Sequence, residues 1–176
     1  MTGSTLKIEC LSARDVDDHL PDLAGLLNAC VAAGASVSFV LPHSLDDSLA
    51  FWSNTVRPAL IADGRVVLVA KAGGRLAGSV QLDYDTPPNQ PHRAEVTKLL
   101  VHPDARRQGI ARALMMALEE QAKQRHRTLL TLDTASDMAE RLYLSLGYQR
   151  AGVIPSYAKD PIEDRYDATT IMFKTL

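Results

Sequence analysis

The 176-residue chain has 46% hydrophobic and 23% charged residues and a formal net charge of -2. That balance supports one packed domain and excludes a disordered chain, and with no basic tail or Lys/Arg run it also argues against nucleic acid as a partner. No apolar run approaches the ~18 residues of a membrane span, and residues 1–5 lack a charged-then-apolar leader pattern, so a cytoplasmic protein with no membrane partner is expected.

In chain order, Leu6 to Cys10 alternates apolar and polar residues and predicts a strand. Residues 17–33 predict one helix, because Leu20, Leu23, Leu26, Leu27, Cys30 and Val31 recur at spacings of three and four and Gly34 can stop it. Ser44-Leu45-Asp46-Asp47 resembles a capping box, with Asp47 returning to Ser44, and opens a second helix to about Ile61. Residues 65–72 and 75–84 flank Gly73-Gly74 and predict a hairpin. Pro87, Pro88 and Pro91 mark a loop, and residues 93–101 a further strand ended by Pro103.

Residues 109–125 carry the clearest helical period. Ile110, Ala113, Leu114, Ala117, Leu118 and Gln121 form one stripe, while Glu119, Glu120, Lys123 and Arg127 lie off it. Strands at 128–133 and 169–173 and a helix at 136–146 complete a mixed sheet with helices on its faces, an α/β (α+β) arrangement. Residues 155–165 read as a loop, whose Asp160, Glu163 and Asp164, with Asp167 beyond, form either an acidic rim for a cationic ligand or a merely solvated loop. Cys10 and Cys30 stand in no ligand or redox spacing and read as reduced core thiols. The histidines are scattered, His102 reads as a solvated loop residue, and no metal site is expected.

The segment from Leu99 to Arg112 is the most informative. A strand ends, a proline turn follows, and Arg106-Arg107-Gln108-Gly109-Ile110-Ala111 opens the periodic helix. The first amides of a helix lack intrahelical partners and sit at the positive end of its dipole, so an anion can bind there. Gly109 leaves the backbone approachable, Ala111 keeps the next position small, and Arg106, Arg107 and Arg112 can add charge-assisted contacts. The single glycine fits neither a P-loop nor a dinucleotide fingerprint, and alone the turn is equally an ordinary strand-to-helix connection.

Two carboxylates stand out. Glu95 lies on a mostly apolar strand, where it is either a functional base or ammonium-holding group, or an ion-pair partner of Arg93 or Lys98. Strict alternation puts Glu95, Thr97 and Leu99 on one face and Val96, Lys98 and Leu100 on the other, a count that a bulge would alter. Asp133 ends a strand before a helix, where it caps that helix or serves a site.

Val101-His102-Pro103-Asp104-Ala105-Arg106-Arg107-Gln108-Gly109-Ile110-Ala111, together with Tyr143 and Leu144-Ser145-Leu146-Gly147-Tyr148, resembles the coenzyme A motif and following helix of the GNAT superfamily of N-acetyltransferases. The resemblance is strong over residues 65–153. Gly34-Ala35-Ser36-Val37, Arg93-Ala94-Glu95-Val96, Lys98-Leu99, Leu132-Asp133-Thr134 and Phe173-Lys174-Thr175-Leu176 are further similar to the tabtoxin-resistance acetyltransferases within it, departing by one residue between Asp133 and Tyr143.

The resemblance implies a twisted, mostly antiparallel sheet of about seven strands, splayed in the middle and flanked by about four helices. It implies acetyl-CoA as co-substrate, with the backbone of Leu99, Leu100 and Val101 pairing with the pantetheine arm and Arg107 to Arg112 holding the pyrophosphate. Tyr143 is implied as the general acid at the coenzyme sulfur, the alternative being simple packing, and Asp133 is placed at the active site. Tyr148 is expected in the core. The acceptor is expected to be a small-molecule amine, bound by residues 34–40 and Trp52 and attacked directly in a ternary complex, with an amino-acid-like toxin or antibiotic as one class. A protein N-terminal or lysine acetyltransferase and a non-catalytic acyl-CoA sensor are the alternatives. GNAT enzymes are often dimers, so a homodimer is also implied.

Overall fold

A computed structural model describes residues 6–176. Seven strands form one sheet, β1 (Leu6–Cys10), β2 (Arg65–Ala72), β3 (Arg75–Asp83), β4 (Arg93–Val101), β5 (Leu129–Thr134), β6 (Gln149–Lys159) and β7 (Tyr166–Thr175), in the order β1-β2-β3-β4-β5-β7-β6. Every neighbouring pair is antiparallel except β4 and β5. A parallel pair needs a long crossover, supplied here by helix α5 (Ile110–Gln124). The remaining helices are α1 (Ala13–Asp18), α2 (Leu20–Ala32), α3 (Leu45–Phe51), α4 (Arg57–Ile61) and α6 (Asp137–Ser145).

The sheet separates two apolar cores. On one face α5 packs Ile110, Leu114, Met115 and Leu118 against Leu68, Val80, Leu82, Val96 and Leu130. On the other, Leu23, Leu27, Val31, Trp52 and Val56 cover Val67, Val69 and Leu100. Truncating one of these fully buried leucines to alanine costs about 2–5 kcal/mol.

The expected helix at 17–33 is divided. Ser12 and Asp15 form a capping box that starts α1 earlier, at Ala13, and the chain leaves helical geometry at His19. Pro21, with no N–H to donate, restarts the helix as α2. The second expected helix begins at the Ser44/Asp47 box as predicted and ends at Ile61. Residues 52–56 form a π-helical turn within it, just before Pro58. In α5, Glu119 lies inside rather than off the apolar stripe: it is 8% exposed, and Lys174 Nζ donates to its Oε2 at 2.7 Å. Residues 149–159 are the largest departure, since Pro155 to Lys159 continue a long edge strand and not a loop. Cys30 is a core thiol as expected, but Cys10 is exposed.

Candidate active site

β4 hands the chain to the turn at residues 106–111 in a fixed sequence of steps. After Val101, a single 3-10 turn at Pro103–Ala105 is held by Ala105 N–H donating to the His102 carbonyl at 2.8 Å. His102 is half-buried, and its Nδ1 accepts from the Asp104 amide at 3.3 Å. Arg107 then adopts φ 64 and Gly109 φ 77, both left-handed. Gly109 is the N-cap of α5 and offers no side chain to its first amides. A Cβ on Gly109 would meet nothing within 4 Å, so open space lies over the uncapped helix start. Arg106, Arg107, Gln108 and Gly109 are exposed around that space, Ala111 is half-buried, and buried Ile110 anchors the helix below. Arg112 is exposed but donates to Ser145 Oγ at 2.7 Å, which ties it to α6. A pyrophosphate fits this arrangement: unpaired amides at a helix start, free approach, and guanidinium groups beside it.

The sheet splays next to this turn. β4 and β5 pair only through Arg93↔Leu129, Ala94↔Leu130 and Glu95↔Thr131. Beyond those pairs β4 stays with β3 as far as Gly78↔Val101, and β5 stays with β7 as far as Thr134↔Thr170. The β4 backbone at Leu99, Leu100 and Val101 therefore has a free edge facing the gap, the kind of edge to which an extended ligand can pair. Gly78 lets β4 and α5 approach β3 here: an added Cβ would lie 2.7 Å from the Leu100 carbonyl oxygen and 3.0 Å from Ile110 Cγ2.

A bulge alters the face count along β4. The pairing with β3 shifts between Ser79↔Leu100 and Gln81↔Thr97, and Lys98 takes φ 52. Leu99 and Val101 consequently pack with Val96 on the α5 side, while Leu100 packs on the α2 side. Lys98, expected to face away from Glu95, instead points to the α2–α3 side, with its Nζ 5.6 Å from the Phe39 ring centroid and 5.9 Å from that of Phe51.

Glu95 and Asp133 share a small cavity of about 130 Å³, lined also by Thr131, Leu132, Tyr157 and Ile171. Glu95 is exposed, with Arg93 Nη1 a distant 3.8 Å from its Oε2. Asp133 Oδ2 accepts from Thr169 Oγ1 at 2.9 Å. It does not cap α6, a role taken by Ser136, whose side chain accepts from Ala139 N–H. Tyr143 is 5% exposed, and its ring lies 5.7 Å from that of Tyr148, which is a core residue as expected. Burial, and after it the charge of Asp133, holds the Tyr143 phenol well above its ordinary pKa. Tyr143 stands near Asp133 without lining the carboxylate cavity. A larger cavity of about 440 Å³ lies between α2 and the β2–β3 turn, lined by His19, Asp22, Arg75 and His102 among others, and holds none of these groups.

Residues 34–41, which include the Ser38 partner of Lys98, pack on the β6–β7 connection. Leu41 N–H donates to the Pro161 carbonyl at 2.8 Å, and Ile162 Cδ1 lies 3.1 Å from the position a Gly34 Cβ would take. The acidic residues of that connection and Asp167 at the start of β7 have basic partners: Arg165 binds Asp160, Glu163 and Asp167, and Lys159 binds Asp164. Four carboxylates against two cations leave this cluster net negative. Trp52 is 0% exposed and belongs to the core, so Phe39 and Phe51 rather than Trp52 present aromatic surface here. Ser38 and Thr169 have no motif in the sequence, and the place of Lys98 was misread, because the bulge and the strand pairing that bring them in are non-local.

The acetyltransferase (GNAT) family matches residues 35–148 of the chain. An uncharacterized N-acetyltransferase from the hisH-hisA intergenic region of Azospirillum brasilense is 32% identical over 136 residues, covering 76% of each chain. Among solved structures, an N-acetyltransferase from Staphylococcus aureus superposes with a TM-score of 0.78 at 18% identity, over 98% of this chain and 99% of that one. A Salmonella typhimurium protein solved with its cofactor acetyl-CoA gives 0.77 at 20% identity, over 97% and 94%.

Proposed function

The chain belongs to the acetyltransferase (GNAT) family and is an acetyl-CoA-dependent N-acetyltransferase, and from that premise we propose that its acceptor is the amine of a small molecule, attacked directly in a ternary complex. The observation that carries the small acceptor is the size of the cavity that Glu95 and Asp133 share, about 130 Å³, which has room for a small amine beside the two carboxylates. The further similarity to the tabtoxin-resistance enzymes at Lys98-Leu99 and Leu132-Asp133-Thr134 favours an amino-acid-like toxin or antibiotic within this class.

In this reading the free edge at Leu99, Leu100 and Val101 pairs with the pantetheine arm. The turn Arg106, Arg107, Gln108, Gly109, Ile110 and Ala111 receives the pyrophosphate, and Arg112 contributes while bridged to Ser145. An alkyl ammonium has a pKa near ~10, so a base must take its proton at neutral pH. Glu95 and Asp133 face the same cavity and hold the ammonium, and one of them accepts its proton directly or through water. The amine then attacks the thioester carbonyl, the N–C bond forms and the C–S bond breaks. Tyr143 supplies the proton that the departing sulfur takes up, and its buried phenol stays protonated at neutral pH until that step. No acyl-enzyme is needed, because the thioester is already activated.

The test is thiol release from acetyl-CoA over a panel of amino acids, polyamines, antibiotics and peptides. Turnover with a free small amine is expected. Peptides as the only acceptors would overturn the reading.

A further inference from the structure

We infer that Lys98 is the residue that selects the acceptor, by binding an anionic group, a carboxylate, on the same molecule whose amine is acetylated. The inference rests on the small-amine reading above and extends it to the chemistry of the rest of the acceptor.

Every other lysine of the chain stands against a carboxylate: Lys7 and Lys71 on Glu9, Lys123 on Glu120, Lys159 on Asp164 and Lys174 on Glu119. Lys98 is half-buried, and among the described residues it has no acidic side chain within ion-pair distance. Its ammonium donates only to Ser38 Oγ, at 2.9 Å, and sits over the rings of Phe39 and Phe51. Withdrawing an ammonium from water without a counterion is costly, and one hydroxyl and two ring faces offset only part of that cost. Burial and the charge of Arg65 accordingly depress its pKa, while Asp133 and Glu95 act in the opposite direction. The two carboxylates of the cavity are thus close enough to act on its charge, yet neither closes on it.

The backbone points the same way. Lys98 and its partner Ser38 both adopt left-handed φ, 52 and 75. Non-glycine residues held there are strained, and such strain clusters at functional sites. The bulge at Lys98 is what turns this side chain toward the side that carries Glu95. A zwitterionic acceptor completes the set: its amine lies at Glu95 and Asp133, and its carboxylate meets the unpaired Lys98 ammonium through charge-assisted hydrogen bonds.

The experiment compares kcat/KM for a set of α-, β- and γ-amino acids and for their carboxamides, at saturating acetyl-CoA, in the wild type, Lys98→Met, Lys98→Arg and Lys123→Met. The wild type is expected to prefer carboxylates over the matched carboxamides by about tenfold or more. Lys98→Met should collapse that ratio toward one, mainly through KM of the carboxylate acceptor. Lys98→Arg should restore part of it, and Lys123→Met, an exposed change on α5, should leave it intact. Thermal melts establish that each variant is folded. Calorimetric titration of the same amino acids into the CoA-bound enzyme provides a readout independent of turnover. If no amine is acetylated but carboxylates bind the wild type and not Lys98→Met, the small-amine reading fails and the Lys98 assignment stands. A best acceptor with no anionic group, an unchanged ratio in Lys98→Met, or no binding of any carboxylate in the calorimeter overturns the assignment.

Discussion

Replacing Gly78 by alanine tests whether the close packing of β3, β4 and α5 sets the geometry of the proposed coenzyme turn. The new methyl group would stand 2.7 Å from the Leu100 carbonyl oxygen, 3.0 Å from Ile110 Cγ2 and 3.2 Å from Leu114 Cδ1. A backbone oxygen cannot swing aside as a flexible side chain can, so β4 or the start of α5 must move by some tenths of an ångström. Overpacking of this kind costs about 1–3 kcal/mol, and each kcal/mol lowers Tm by roughly 2–4 °C in a domain of this size. The variant should therefore melt about 2–12 °C lower. Because Leu100 belongs to the free edge of β4 and Ile110 is the first residue of α5, KM for acetyl-CoA should rise about threefold or more while kcat changes less. Gly25→Ala is the control: its methyl group meets nothing within 4 Å on helix α2, and it should raise stability by about 0.4–1 kcal/mol. Differential scanning calorimetry and initial rates at varied acetyl-CoA read both effects. A Gly78→Ala protein with unchanged Tm and unchanged KM would refute the reasoning.

Tyr143→Phe removes only the hydroxyl and should lower kcat by about 10²-fold or more with little effect on KM for acetyl-CoA; undiminished turnover rules the acid role out. Gly109→Leu should lower stability by about 1–2 kcal/mol through its left-handed φ of 77 and weaken acetyl-CoA binding about tenfold. A dissociation constant matching the wild type's would sink the placement of the pyrophosphate. Burial pushes the Cys30 thiol from 9.0 up to about 11. The unfolded thiol then loses its proton first, so the folded state loses stability as pH rises from 9.0 toward 11. Urea midpoints at pH 8 and 10.5 should fall less for Cys30→Val than for the wild type, and equal falls would show that this thiol contributes nothing.

The turn and helix start of the proposed coenzyme site were legible as structure because their determinants are local. The period of α5, the glycine that caps it and the proline that ends β4 are neighbours in the chain, and each dictates backbone geometry within a turn of itself. The capping box at Ser44 and the hairpin at Gly73-Gly74 were readable for the same reason. The acceptor half was not. Asp133 could not be separated from a helix cap by its position, and only the packed helix shows Ser136 taking that role. The acidic residues after Lys159 read as either a rim or a solvated loop, and only the folded chain shows Arg165 paired among them. The β6 edge strand is exposed along nearly its whole length and carries Pro155, so it has no buried face to print an alternation into the sequence.

What the sequence alone determined is which segments form helices and strands and where most of them turn, and with it the glycine-capped start of α5. The tertiary structure decided which strands part, which side chains cross to the other face and which charges are left without partners. Those depend on register. A single bulge between β3 and β4 moves Lys98 across the sheet, and the split of β5 from β4 after Glu95↔Thr131 opens the gap beside it. Pairing energies between distant segments set both, and no window of neighbouring residues contains them.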